Sequence, residues 1–227
     1  MDDRLTQLDD NLWVVARPLR FVGLHIGTRM AIVRLSGGGL FVHSPVALTN
    51  ELRGEVDALG QVQHVVAPNY YHHLYVGDFA EAYPDAMIHG VPGLANKRKK
   101  VRFDAELGEE PHPDWAGDLE QLPLAGTMLK ETVFFHRASR TLVSCDVTEN
   151  FETSPKWFTR MYLKVGGVHG KPGLNKLIRW VVRDKQAARA SIDRILEWDF
   201  ERVSVAHGDI IESDGREAVR QTYEFLG

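Results

Sequence analysis

Apolar and polar residues change period repeatedly along this chain, and each change marks an element. "NLWVVAR" (11–17) alternates as a strand does. "RMAIVRL" (29–35) and "LFVHS" (40–44) are strand-like and flank "SGGG" (36–39), which predicts a hairpin, because glycine takes positive φ at no steric cost. In "LTNELRGEVDALG", Leu48, Leu52, Val56 and Leu59 fall on one helical face, and Gly60 is a stop. A buried strand follows over 62–66, then the turn "APNYYHH", a helix to about Tyr83 and a short strand over 86–90.

Residues 91–123 are rich in Pro, Gly and charge and read as irregular. "TMLKETVFFH" (127–136) and "TLVSCD" (141–146) flank "RASR" as a second hairpin. The long segment 156–182 interleaves Trp157, Phe158, Met161, Tyr162 and Leu163 with Lys156, Arg160 and Lys164. It reads as a core helix, with a lid over a site or a contact between two copies of a homodimer as alternatives. Ala188, Ile192, Ile195 and Leu196 predict a helix over 185–200. "RVSVAHGD" (202–209) is a strand and its turn, and Val219, Thr222, Tyr223 and Leu226 predict a closing helix.

The first half (about 1–123) thus runs hairpin, helix, strand, histidine-bearing turn, helix. The second (about 124–227) runs hairpin, intervening segment, helix, strand, histidine-bearing turn, helix. Two such halves packed sheet to sheet, helices outside, make an α/β four-layer αββα sandwich with two mixed sheets, a single domain over 1–227. The polar strand ends then gather along one edge.

The 227 residues, 44% hydrophobic, can bury one sizeable core. A net charge of −4 argues against general nucleic-acid binding; "NKRKK" (96–100) is the one dense basic cluster and reads as a solvated face. No apolar run has membrane-helix length, and "MDDRLTQLDD" is too acidic and polar for a signal peptide. The single cysteine, Cys145, cannot form an internal disulfide and reads as a small buried hydrophobe, which fits a reducing compartment, most simply the cytoplasm. "GGVHGKPG" (166–173) matches no nucleotide-binding loop, and "HSP" (43–45) no serine elbow.

Ten histidines remain, several where the chain turns: His43, His72, His73, His136 and His207. With the stretches "HVVAPNYYHHLYVGDFAEAYPDA", "TVFFHRASRTLVSCD" and "RVSVAHGD", the chain resembles the metallo-β-lactamase superfamily over most of its length. Within it, the chain is most similar to a branch of uncharacterised domains carrying the same "HHL" turn and "SRTL…D" hairpin. The superfamily pattern is a strand ending in H-x-H-x-D-H, a lone His before a hairpin, an Asp closing that hairpin and a final His after a strand. Counted back from Pro84, His73 takes the place of the last motif His and His72 that of the motif Asp. The two earlier histidine positions fall on Pro68 and Tyr70, or on Asn69 and Tyr71, and the lone His has no counterpart near Thr127. Asp146 and His207 match.

The resemblance therefore implies a degenerate metal site for one Zn²⁺ or Fe²⁺, with His73, Asp146 and His207 as ligands and His72 and Glu131 as catalytic acid–base candidates. Asn69, Tyr70, Tyr71, His43 and His136 are expected to line it. The implied activity is metal-dependent hydrolysis of a small-molecule ester, lactone or similar substrate. The alternative is a metal-free binding or scaffold protein, its site plugged by Asn69, Tyr70 and Tyr71.

Overall fold

The computed structural model describes residues 4–227. Nine strands open the chain: β1 (Thr6–Asp9), β2 (Leu12–Arg17), β3 (Arg20–Phe21), β4 (Leu24–His25), β5 (Thr28–Arg34), β6 (Leu40–His43), β7 (Val62–Ala67), β8 (Met87–Gly90) and β9 (Ala105–Glu106). Seven form the first sheet in the order β1-β2-β5-β6-β7-β8-β9, and β3 pairs with β4 beside it. The predicted hairpin closes where Leu35 N–H donates to Gly39 O and Gly38, at φ 90°, donates back to Leu35 O. Helix α1 (Asn50–Leu59) starts where Thr49 Oγ1 accepts from Leu52 N–H, and it buries Leu52 and Val56. It carries the chain from β6 to a parallel β7; α2 (Val76–Ala82) likewise leads to a parallel β8. The short α3 (Leu94–Lys97) precedes β9.

The second sheet holds β10 (Leu119–Pro123), β11 (Thr132–His136), β12 (Thr141–Val143) and β13 (Arg202–Ser204), antiparallel except that β13 runs parallel to β12. Between β12 and β13 lie α4 (Trp157–Gly166), a 3₁₀ turn over Lys176–Val181 and α5 (Lys185–Ile195); α6 (Gly215–Thr222) closes the fold. Phe41 of β6 meets Phe134 of β11 edge to face at 5.1 Å, and Trp115 stands 5.1 Å from Phe41, so the inner core lies between the sheets. On the outer face of the second sheet, Phe135, Leu142 and Val203 pack with Ile192 and Ile195 of α5 and Val219 of α6. This is the four-layer αββα arrangement of two mixed sheets.

Four expectations need correction. The stretch 91–123 contains a sheet strand, β10, whose five residues are too few for a period to show. The strand expected from 127 begins only at Thr132, because Lys130 takes φ 51° and turns the chain. The closing helix stops at Thr222, and the last residues form a 3₁₀ turn. α4 buries only Thr159, Leu163 and Gly166, leaving Trp157 68% exposed and Phe158, Met161 and Val165 open, so it is not an ordinary core helix. No helix among the described residues is long and apolar enough to cross a membrane.

Candidate metal centre

The two halves end their central strands in the same way. Ser44, after β6, donates its N–H to Val66 O of β7; Ser144, after β12, donates to Ser204 O of β13, both at 3.0 Å. The third residue beyond each acceptor is Asn69 in one half and His207 in the other. Both reach the same edge of the sandwich, where they meet Asp146.

Asp146 binds three partners there. Its Oδ1 lies 3.3 Å from His207 Nε2. Its Oδ2 accepts from Asn69 Nδ2 at 2.7 Å and lies 3.6 Å from His72 Nε2. The two imidazole Nε2 atoms are themselves 3.3 Å apart. Each ring is fixed from behind: His207 Nδ1–H donates to Gly27 O at 2.8 Å, and His72 Nδ1 pairs with Ser44 Oγ at 2.9 Å. The bond to Gly27 leaves the Nε2 lone pair of neutral His207 facing His72 and Asp146. The His207 turn is equally fixed. Arg29 Nη1 and Nη2 donate to Val205 O and Gly208 O, and Gly208 has φ 88°, where a Cβ would sit 1.8 Å from Asn150 O.

Glu131, fully buried on the strand β11 side, holds the loop that carries Asp146. Its two carboxylate oxygens accept from Cys145 N–H at 2.6 Å and Asp146 N–H at 2.8 Å. Burial and the charge of Asp146 push the Glu131 carboxyl well up, against the pull of those hydrogen bonds. Burial works against ionised Asp146 too, but the imidazoles of His72 and His207 outweigh it and hold this carboxyl below the usual range. Burial would lower His207, yet its hydrogen bond to Asp146 raises it above the ordinary histidine value. Glu149, buried and with Oε2 unpartnered, is pushed up to about 7, chiefly by burial.

The sequence-predicted residues distribute unevenly. His72, Asp146, His207 and Asn69 converge; His72, and not His73, is the histidine of the pair that joins them. Asn69 Oδ1 decides this by accepting from both Tyr71 N–H and His72 N–H at 2.8 Å, which turns the His72 side chain inward. The His73 ring has no partner at Nδ1 and feels the charges of Lys97 and Arg98 instead. Tyr70 and Tyr71 do not plug the site. The Tyr70 hydroxyl donates to Pro92 O, Tyr71 is 46% exposed, and Lys97 Nζ stands over both rings. His43 is buried against Phe134, close enough to His72 for their charges to interact. His136 belongs to the far end: its Nδ1 pairs with Ser139 Oγ at the hairpin tip and it opposes Thr141, at the start of β12, whereas Asp146 follows the end of that strand. Glu149, Ser44 and Gly27 escape sequence reading, because a backbone carbonyl and a lone serine carry no pattern.

Three ligand atoms, one from each of His72, Asp146 and His207, lie within 4.8 Å of one another. A tetrahedral Zn²⁺ with bonds of about 2.0–2.1 Å places its ligand atoms about 3.3–3.4 Å apart. The two imidazole Nε2 atoms, 3.3 Å apart, match that edge, and the Asp146 carboxylate faces the pair with Oδ1 3.3 Å from His207 and Oδ2 3.6 Å from His72, a donor set suited to Zn²⁺ or Fe²⁺.

The whole chain superposes on known structures. It is similar to a metallo-beta-lactamase from Pontibacter korlensis (12% identity, 98% of each chain covered, TM-score 0.68). A metallo beta lactamase from Hirschia baltica is similar at 11% identity, covering 98% of this chain and 97% of that one, with TM-score 0.68. The metal-soaked Flv1 flavodiiron core from Synechocystis sp. PCC6803 is similar at 10% identity and TM-score 0.71, covering 98% of this chain and 60% of that one. At these identities the likeness speaks for the fold. No curated protein matches the sequence. The family model described as a domain of unknown function (DUF4336) matches residues 9–171, and the chain belongs to that family, a divergent branch of the metallo-β-lactamase fold.

Proposed function

We propose that the protein is a hydrolase-like enzyme of the metallo-β-lactamase fold that binds one Zn²⁺ or Fe²⁺ through His72, Asp146 and His207 and hydrolyses a small ester, lactone or similar substrate. The observation that carries this reading is the convergence of three side chains anchored from behind: two imidazole Nε2 atoms 3.3 Å apart, each facing one oxygen of the Asp146 carboxylate, at 3.3 Å for His207 and 3.6 Å for His72. When bound, such a cation lowers the pKa of water and polarises a carbonyl oxygen.

The chain's own residues divide the remaining work. Ser44 and Gly27 fix the ring orientations of His72 and His207. Glu131 acts as a buttress for Asp146, with both oxygens engaged by backbone N–H groups, rather than as a base. Glu149, its carboxyl near neutrality, its Oε2 free, and near enough to His207 and Asp146 to feel their charges, is suited to accept and return a proton.

The test is elemental analysis of tag-free protein followed by hydrolysis assays on small nitrophenyl esters and lactones. The triad is expected to hold about one ion per chain, so Asp146→Ala and His207→Ala should each bind one ion fewer than wild type. Glu149→Gln should keep the metal and lose most of kcat, on the order of 10²-fold. Failure to take up zinc, iron or manganese would sink the reading. It would favour the metal-free binding module, which the Asn69–Asp146 hydrogen bond supports by partnering the carboxylate without a cation.

A further inference from the structure

A second histidine cluster lies elsewhere in the fold. His64 is near the start of β7, whereas Asn69 follows the end of that strand, and the His64 side chain points between the sheets toward Trp115, with ring centroids 5.0 Å apart. His112 and Asp114 come from the loop that leads into β10. That loop is held in place: Trp115 Nε1–H donates to Gln121 Oε1, while Gln121 Nε2 donates to Gly108 O and Glu110 O. One ligand atom from each of His64, His112 and Asp114 lies within 4.8 Å of the other two.

Two observations separate this cluster from an ordinary core histidine with an acidic neighbour. His64 is 1% exposed, yet its Nε2 makes no hydrogen bond; Asp114 Oδ2 lies 3.2 Å away, near enough for charge attraction but off the hydrogen-bonding direction. The other nitrogen, His64 Nδ1, pairs with His89 Nε2 at 3.1 Å. If His64 Nδ1–H is the donor, the Nε2 lone pair faces the Asp114 carboxylate, an arrangement that a cation between them stabilises. The contact a metal must compete with on the other side, Asp114 N–H to His112 Nδ1, is long at 3.3 Å. His64 and Asp114 also line an open groove of about 460 Å³ with Gln61, Gln63 and Asp85, which gives an ion a route in and room for water ligands.

We infer that His64, His112 and Asp114 form a second, separate binding site for a divalent transition-metal ion, with His89 orienting His64 from behind. Two imidazoles and one carboxylate with open positions suit Zn²⁺, Ni²⁺ or Cu²⁺ rather than Mg²⁺ or Ca²⁺. An ion there would fasten the 108–115 loop to the first sheet.

Equilibrium dialysis of the full chain against Zn²⁺, with four proteins compared, tests this. The proteins are wild type, His112→Ala/Asp114→Ala, Asp146→Ala/His207→Ala, and the variant combining all four changes. His112 and Asp114 have side chains 30% and 54% exposed, so their removal spares the core. The expected outcome is one fewer equivalent bound in His112→Ala/Asp114→Ala than in wild type, one equivalent retained in Asp146→Ala/His207→Ala, and none in the combined variant. If the triad binds no metal, wild type takes one equivalent and His112→Ala/Asp114→Ala none, so the two assignments fail separately. Should Asp146→Ala/His207→Ala misfold, His112→Gln/Asp114→Asn in the wild-type background supplies the readout, with at least a tenfold loss of affinity for one equivalent. Zinc uptake identical in wild type and the His112/Asp114 variants, or absent in wild type, overturns the inference.

Discussion

The two histidine clusters use the same side chains under opposite conditions. In the triad, the carboxylate of Asp146 is 16% exposed and accepts a hydrogen bond from Asn69, and both imidazoles are anchored by a hydroxyl or a carbonyl. In the other cluster only His64 is buried, and Asp114 is 54% exposed on a loop. The difference shows where pre-organisation resides. A buried carboxylate must be held by many donors, so the triad depends on residues well outside it. An exposed carboxylate is held by water and depends on little.

The sharpest way to break this contrast is Glu131→Ala. It strips acceptors from two backbone N–H groups behind Asp146, at a cost of about 1–3 kcal/mol each, so urea unfolding should show a loss of roughly 2–6 kcal/mol. A loss below about 1 kcal/mol would mean that the loop holds Asp146 without its buttress. Next comes pH. Burial lowers His43 to about 3, and His89, burial again foremost, to about 4. Below an ordinary value of about 6.5 the unfolded chain takes up protons that these folded rings refuse. Stability is therefore full above about pH 6.5 and falls as pH drops toward 4, by about 1.4 kcal/mol per pH unit for each ring. In EDTA-treated protein, His43→Leu or His89→Leu should flatten that slope by one ring's share; an unchanged slope in both would show that neither ring stays neutral.

A smaller effect is expected at Ser44. Ser44→Ala removes the partner of His72 Nδ1 and should weaken metal affinity about 10-fold or more, measured by chelator competition, while leaving the fold intact. The smallest belongs to the exposed side: Asp114→Asn in metal-free protein should change unfolding free energy by less than about 1 kcal/mol. A larger loss would make the second cluster as structurally coupled as the first.

The sandwich was legible in the sequence because its strands and helices alternate with clear periods, and its two halves repeat one order of elements. Asp146 and His207 were legible through the resemblance, because each matches a position of the superfamily pattern at a strand end. The choice between His72 and His73 was not. Spacing points to His73, whereas the Asn69 side chain caps two successive backbone N–H groups and turns His72 inward. Nor was the His64 cluster visible: its members stand 48 and 50 positions apart, two of them in a loop that carries no periodic signal. Contacts made by a carbonyl, such as Gly27 O, leave no trace in residue type.

That Gly27 contact also has a consequence in time. It joins positions 180 residues apart, while His72 and His207 are separated by 135. Contacts of such long range close late, once shorter loops have formed. During synthesis, most of the first sheet can assemble before β13 exists, but the triad cannot. His72 waits, half of a pocket, until the last strand arrives and its histidine docks on the carbonyl beside β5. Formation of the triad is thus a report that β13 and its turn have joined the second sheet.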